Sequence, residues 1–193
     1  MFNKKSNKHN KLINSASRLI YKKGFHLTSL ANIASNAEIP LGNIYYYFKA
    51  KQSICEAVIL KMTFEYNKMF NVLNKTQDPL KRLKLFIKYQ YYDCKLTNIV
   101  KYGCRIGNLS QEISKQKGNL SKKIISLIKI ILCWIQQQFL ELGFADNSQN
   151  YAIFFMSTLQ GICLLTNTFS DPNILKNQSN YLLNWVDILS KLK

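Results

Sequence analysis

The run "IPLGNIYYYFKAKQSI", Ile39 to Ile54, sets four aromatic rings in consecutive positions, Tyr45 to Phe48, and follows them with Lys49 and Lys51. A helix packed on a core buries a stripe spaced by three or four residues, so an unbroken aromatic run must aim some rings elsewhere. With Ile44 and Phe48 turned inward, Tyr45, Tyr46 and Tyr47 face outward or sideways. Hydroxyl tips, flat ring faces and adjacent ammonium groups together suit a nucleic-acid backbone: the phenols donate to phosphates, and the lysines neutralise them with release of counterions. Gly42 lets a helix approach a duplex closely, and Asn43 carries an amide able to pair with N6 and N7 of adenine.

Other chemistries find less support. The five cysteines, at 55, 94, 104, 133 and 163, form no CxxC pair, and only His9 and His26 could join them as nitrogen ligands. Neither a metal site nor a disulfide framework is expected, and reduced thiols suit the cytoplasm. No Gly-rich phosphate loop is present, and both histidines lie far from any acid cluster, so an enzyme and a bound cofactor are not expected. The start, "MFNKKSNKHNKLINSASRL", lacks the apolar segment of a signal peptide. The apolar spans "IISLIKIILCWI" and "YAIFFMSTLQGICLLT" are interrupted by Lys129 or by Ser157, Thr158 and Gln160 and fall short of about 18 residues; they read as core or interface helices.

The elements that must position the basic aromatic run are helical. The chain has 193 residues, 47% of them apolar, enough for a sizeable core, and 27 basic against 10 acidic groups give +17. Nine Lys or Arg against the single acid Glu38 fall within residues 1 to 51, which makes that segment the denser electrostatic footprint for an anionic partner. Leu12, Ile13, Ala16, Leu19 and Ile20 recur at helical spacing and stop at "KKG", placing a helix over 7–23 with Gly24 at its C-cap. Thr28 is positioned to cap a short helix with Leu30, Ile33, Ala34 and Ala37 inward, and a third helix starts with Pro40 at its first position. Longer helices follow at 51–74, 79–96, 103–115, 119–142, 147–169 and 173–191, two of them opened by Asp-Pro as N-cap and N1. The expected architecture is all-α, with about nine helices.

Two short helices joined by a tight turn and crossed by a basic helix describe a helix-turn-helix. The segment "GFHLTSLANIASNAEIPLGNIYYYFKAKQSI" resembles the DNA-binding domain of the TetR family of transcriptional regulators, whose pattern has GF, a Thr-Ser pair, IA, a small-residue turn and a G-N-I-Y-Y-H-F-K-S-K-like close. The resemblance spans about residues 8 to 60. It implies a helix-turn-helix domain over 1–50 and a helical ligand-binding and dimerisation domain over 51–193. It further implies DNA contacts from Thr28, Ser29, Pro40, Leu41, Gly42, Asn43, Tyr45, Tyr46, Tyr47, Lys49 and Lys51, with Thr28 anchoring a phosphate. The sequence departs from the pattern at Glu38, where Gly is common at a site needing positive φ, and at Leu41, often a polar residue but able to touch a thymine methyl. Tyr47 stands in a frequent His slot, and Ala50 in a Ser slot that would cap the fourth helix.

The remaining chain carries many aromatics, most of them core and some suited to line a small-molecule cavity. The resemblance implies an inducer pocket, for which Phe64, Tyr89, Asp93, Cys104, Asn108 and Trp134 are the candidates, and a fourth helix that transmits binding to the DNA domain. "YGCRIGNLSQEIS" resembles a GC, then NL-x-x-E, segment of a NemR-like branch. Cys104, between Lys101 and Arg105 at a helix start, is placed to be a reactive thiolate. The implied protein is a cytoplasmic homodimer that represses from a palindromic operator on double-stranded DNA and is released by a small-molecule inducer, with no membrane partner. Two alternatives stay open: a thiol-based redox or electrophile sensor acting through Cys104, and a basic membrane-surface or non-specific nucleic-acid-binding protein.

Overall fold

The computed structural model describes residues 2–91 and 95–191. Among these, the chain forms ten α-helices and one short 3-10 turn: α1 (Phe2–Lys23), α2 (Leu30–Asn36), α3 (Leu41–Tyr47), α4 (Lys51–Leu73), α5 (Pro79–Tyr91), α6 (Lys95–Tyr102), α7 (Arg105–Ile113), α8 (Asn119–Glu141), α9 (Ser148–Phe169) and α10 (Pro172–Ser190). The all-α expectation holds. Where one helix was expected over 79–96, helix is described to Tyr91 and again from Lys95 to Tyr102. The Asp-Pro starts behave as read: Asp78 Oδ1 accepts from the Leu80 amide at 2.9 Å and Asp171 Oδ1 from the Asn173 amide at 2.8 Å.

Two compact units divide the chain, residues 1–65 with 105–127, and residues 66–104 with 128–193. The chain therefore passes from one to the other at three places: within α4, just before α7, and within α8. Helix α4 is thus one of three covalent passages between the units.

The core of the first unit follows the helical spacing of its sequence. Leu12, Ala16, Ile33, Ile44, Ile54, Ile59 and Ile113 are all fully or almost fully buried, and Ile44 and Phe48 bring α3 onto this core. Ser15 ties α1 to α2 by donating to the Ile33 carbonyl at 2.9 Å. The α2 cap corrects the sequence reading. Ser29, not Thr28, is the N-cap, and its hydroxyl and amide exchange bonds with Asn32 in a capping box. Thr28 lies inside instead, donating its hydroxyl to the Gly24 carbonyl at 2.7 Å. Pro40 is the N-cap of α3 rather than its first residue.

The second unit is built around stacked rings. Phe70 lies on Trp134 at 4.6 Å with planes 8° apart, Phe86 meets Trp134 at 5.4 Å, and Phe155 meets Phe139 edge to face at 6.3 Å. Helices α8 and α9 correct the estimate of span length. Asn119–Glu141 and Ala145–Phe169, the second being α9 with the 3-10 turn before it, are 23 and 25 residues long and apolar enough to cross a membrane by length and composition, because the helices run past the interrupting polar residues. Yet each is one-sided: α9 buries Ala152, Phe155, Leu159, Ile162 and Thr166 along one stripe, the pattern of a helix packed on protein.

On α9 and α10, Phe155, Leu159, Ile162, Leu182, Val186 and Leu189 are core. The apolar residues left exposed are Ile153, Phe154, Leu164, Leu165 and Phe169 on α9, with Tyr181 and Ile188 on α10. Amphipathic periodicity marks how many faces are apolar but not which one its own unit covers.

The α2–α3 turn stores strain at Glu38, whose φ is +56°, in the left-handed region that favours glycine. We expect Glu38→Gly to stabilise the fold by about 1 kcal/mol or less, because relief of the Cβ clash is partly offset by the freedom glycine adds to the unfolded chain. Chemical denaturation checks this; a loss of stability would show that the turn carries no strain.

Candidate nucleic-acid interface

Helix α3 is held from behind and open in front. Ile44 is fully buried and Phe48 nearly so, whereas Leu41, Gly42, Asn43, Tyr45 and Tyr46 are exposed, Tyr46 at 67%. Tyr47 is half-buried, its ring 5.1 Å edge-on from Tyr46 and 6.1 Å from His9. His9 in turn stacks on Phe48 at 4.9 Å, so the basic first helix supports the end of α3. A Cβ added at Gly42 would meet nothing within 4 Å, so packing inside the chain does not require glycine there.

The flanking residues sort into two groups. Ser29 is exposed at the N-cap of α2, and Lys49 is exposed in the bend between α3 and α4. Thr28 and Lys51 are engaged by the fold. Lys51 Nζ donates to the carbonyls of Phe25 at 2.9 Å and His26 at 3.2 Å and sits 4.4 Å above the Phe25 ring. The cap missing at Ala50 is supplied from Ser53, whose Oγ donates to the Ala50 carbonyl at 2.7 Å and accepts from its amide at 3.3 Å.

Sequence reasoning missed the residue that faces Lys51 across the α1–α2 turn. Glu112, on α7, accepts from the Phe25 amide at 3.1 Å and the His26 amide at 3.0 Å. It is the Glu of the NL-x-x-E segment, and its spacing from Asn108 was the signal available. The two are one turn apart and line a cleft of about 470 Å³ with His26, Gln111 and Lys115, while Leu109 points into the core. Gly24 fits this arrangement twice over: its φ is +86°, and a Cβ there would stand 2.9 Å from Glu112 Oε1.

The residues read as an inducer set are divided between the two units. Phe64 is 69% exposed and belongs to the first unit with Asn108; Tyr89, Cys104 and Trp134 belong to the second, and Asp93 lies outside the described residues. Trp134 is buried in its ring stack with Nε1 donating to Asn74 Oδ1 at 2.9 Å. Cys104 is half-buried just before α7, and the Arg105 guanidinium beside it in sequence bonds Glu65 at 3.0 Å and Ser17 at 2.7 Å.

Cys55 is a thiol with a displaced titration. Burial, reinforced by the Glu112 carboxylate and opposed by Lys51, pushes it up from 9.0 to about 12. A raised thiol pKa favours the folded state while the group is protonated; stability is full below about 9 and is lost as pH rises toward 12. We expect the unfolding free energy of the parent to fall more steeply above pH 9 than that of Cys55→Ala, by denaturant melts across that window. Parallel curves would contradict the assignment.

The likenesses to known proteins converge on this geometry. The family described as bacterial regulatory proteins, tetR family, matches residues 12–58. An uncharacterised HTH-type transcriptional regulator in the lacX 3′ region of Lactococcus lactis is 29% identical over 180 residues, covering 91% of each chain. Among solved structures, a TetR transcriptional regulator from Legionella pneumophila superposes with a TM-score of 0.79 at 18% identity, covering 89% of this chain and 93% of that one. The reduced form of E. coli NemR superposes with a TM-score of 0.76, also at 18% identity, over 92% of this chain and 96% of that one, a likeness of fold. Residues 12–58 thus match the DNA-binding domain of the tetR family of bacterial regulatory proteins, and the chain is similar along nearly its whole length to an HTH-type transcriptional regulator.

Proposed function

We propose that the protein is a cytoplasmic repressor that binds a palindromic operator as a homodimer and leaves it when a small molecule binds the helical part of the chain. The division of labour we propose is DNA reading by about residues 1–50 and effector binding and dimerisation by the rest. The observation that carries the reading is the face of α3: five exposed residues, Leu41 to Asn43 with Tyr45 and Tyr46, backed by the buried Ile44 and Phe48. In that arrangement Asn43 reads a base edge, Leu41 touches a thymine methyl, and Ser29, Lys49 and the tyrosines hold phosphates, with Pro40 setting the angle of approach. Thr28 and Lys51 contribute by fixing the turn they are bonded to.

Dimerisation is supported by the exposed apolar face of α9 and α10. Burying side chains such as Phe154, Leu164, Leu165 and Phe169 against a second copy contributes roughly 1.5–3 kcal/mol each, before the cost of association. A two-fold dimer presents two α3 helices to successive major grooves about 34 Å apart, which is why the operator should be palindromic. Effector binding then needs to couple by only about 1–3 kcal/mol, or 5- to 150-fold in affinity, to release the protein. Three covalent passages between the compact units are available to carry that coupling. The effector would be partly apolar, in keeping with the aromatic supply of the second unit.

Selection of duplexes from a random pool, with the solution mass measured in parallel, tests the reading. We expect a palindromic winner and a mass near twice 22.5 kDa; an asymmetric site bound by a single chain would overturn it. Individual contacts separate by substitution. Asn43→Ala should cost about 1–3 kcal/mol on the selected duplex and little on random DNA, whereas Lys49→Ala should weaken both and flatten the salt slope. Gly42→Ala should raise thermal stability, since glycine costs a helix roughly 0.5–1 kcal/mol, and still weaken DNA binding. Equal losses on both duplexes for Asn43→Ala would remove it from the base-reading face.

A further inference from the structure

The proposed reading gives α7 no part in DNA binding, yet α7 is bonded directly to the turn on which the helix-turn-helix depends. We propose that Glu112 is a positioning residue for DNA binding: with Lys51 it clamps the Phe25–His26 dipeptide, and so fixes where α2 and α3 stand against α1. This inference rests on the DNA-binding reading above.

The clamp closes from two sides. Both carboxylate oxygens of Glu112 are used, Oε1 by the Phe25 amide at 3.1 Å and Oε2 by the His26 amide at 3.0 Å. The carbonyls of the same two residues accept from Lys51 Nζ at 2.9 and 3.2 Å. All four polar backbone atoms of the dipeptide are therefore satisfied by two opposite charges, one from α7 and one from the first residue of α4. Charge-assisted bonds of this kind are roughly twice as strong as neutral ones. Thr28 continues the lock by donating to the Gly24 carbonyl at 2.7 Å, and Gln116 Nε2 lies 3.3 Å from His26 Nε2.

What the clamp fixes is the start of α2. Four residues separate Phe25 from Leu30, the first residue of α2, and Ser29 caps that helix. Helix α3 follows α2 through the strained Glu38 turn, so freedom at Phe25–His26 becomes misplacement of α3. A base-reading helix needs its side chains held close to the productive geometry, which makes the cost appear in DNA affinity rather than in global stability. Glu112 is half-buried beside an open cleft and contributes no packing comparable to Leu109 or Ile113, which hold α7 to the core.

The experiment compares the parent with Glu112→Gln and Glu112→Ala in the full chain, reading affinity for the duplex selected by the parent and amide hydrogen exchange at Phe25 and His26. The amide side chain of Gln keeps the shape but has one oxygen left to accept; Ala removes both acceptors. Expected are faster exchange at these two amides, with core amides unchanged, and a loss of affinity on the order of ten-fold for Ala and smaller for Gln. Should the Ala variant not fold, the Gln variant decides alone. Affinity indistinguishable from the parent in a folded variant, or unchanged exchange at both amides, overturns the proposal. If the parent selects no duplex, the DNA-binding reading fails while the exchange measurement still decides whether the clamp exists.

Discussion

A turn between two helices leaves backbone amides and carbonyls that no helix satisfies, and a turn that must also aim a recognition helix cannot be left to water. In this protein Phe25 and His26 carry those groups, and Glu112 and Lys51 answer all four of them. The burial of Phe25, the inward turn of Thr28 and the use of Gly24 follow from the same constraint, because the carboxylate must reach the backbone and a side chain at 24 would block it. Burial of Cys55 beside Glu112 and Lys51 belongs to the same locality: its thiol stays protonated where its charged neighbours are already committed to the turn.

The second unit solves a different problem, that of filling space between long helices. Flat stacking of Phe70 on Trp134 and the ring contacts through Phe86, Phe139 and Phe155 do so with few polar atoms, and the one indole N–H in that stack is answered by Asn74. Trp134 is a central member of that stack. The outer faces of α9 and α10 keep apolar surface that their own unit does not cover.

Helical periodicity made most of the fold legible. Ile44 and Phe48 inward with Tyr45 and Tyr46 outward could be read from five consecutive letters, because a stripe can cover only one side of a helix. Glu38 could be flagged from its place in a turn that usually takes glycine, and its φ of +56° bears this out. Capping was less legible: Thr28 and Ser29 are both good caps, and only the tertiary bond from Thr28 to Gly24 decides between them. Long-range pairing was not legible at all. Glu112 lies 86 and 87 residues from its partners, and no local pattern announces that a carboxylate on one helix serves the backbone of a distant turn. The face of α9 left open is likewise a property of what packs around it.

The central claim is that an exposed, rigidly backed α3 reads a particular DNA sequence, as distinct from a basic protein attracted to any polyanion. With 27 basic residues against 10 acidic ones, attraction alone is guaranteed, so affinity for DNA by itself decides nothing. The decisive measurement is the equilibrium affinity for a selected duplex and for its scrambled counterpart across a range of salt concentrations. The account predicts that both weaken as salt rises while the preference for the selected sequence persists at about 1,000-fold or more. A preference that vanishes as salt rises, leaving the two duplexes equal, would contradict it.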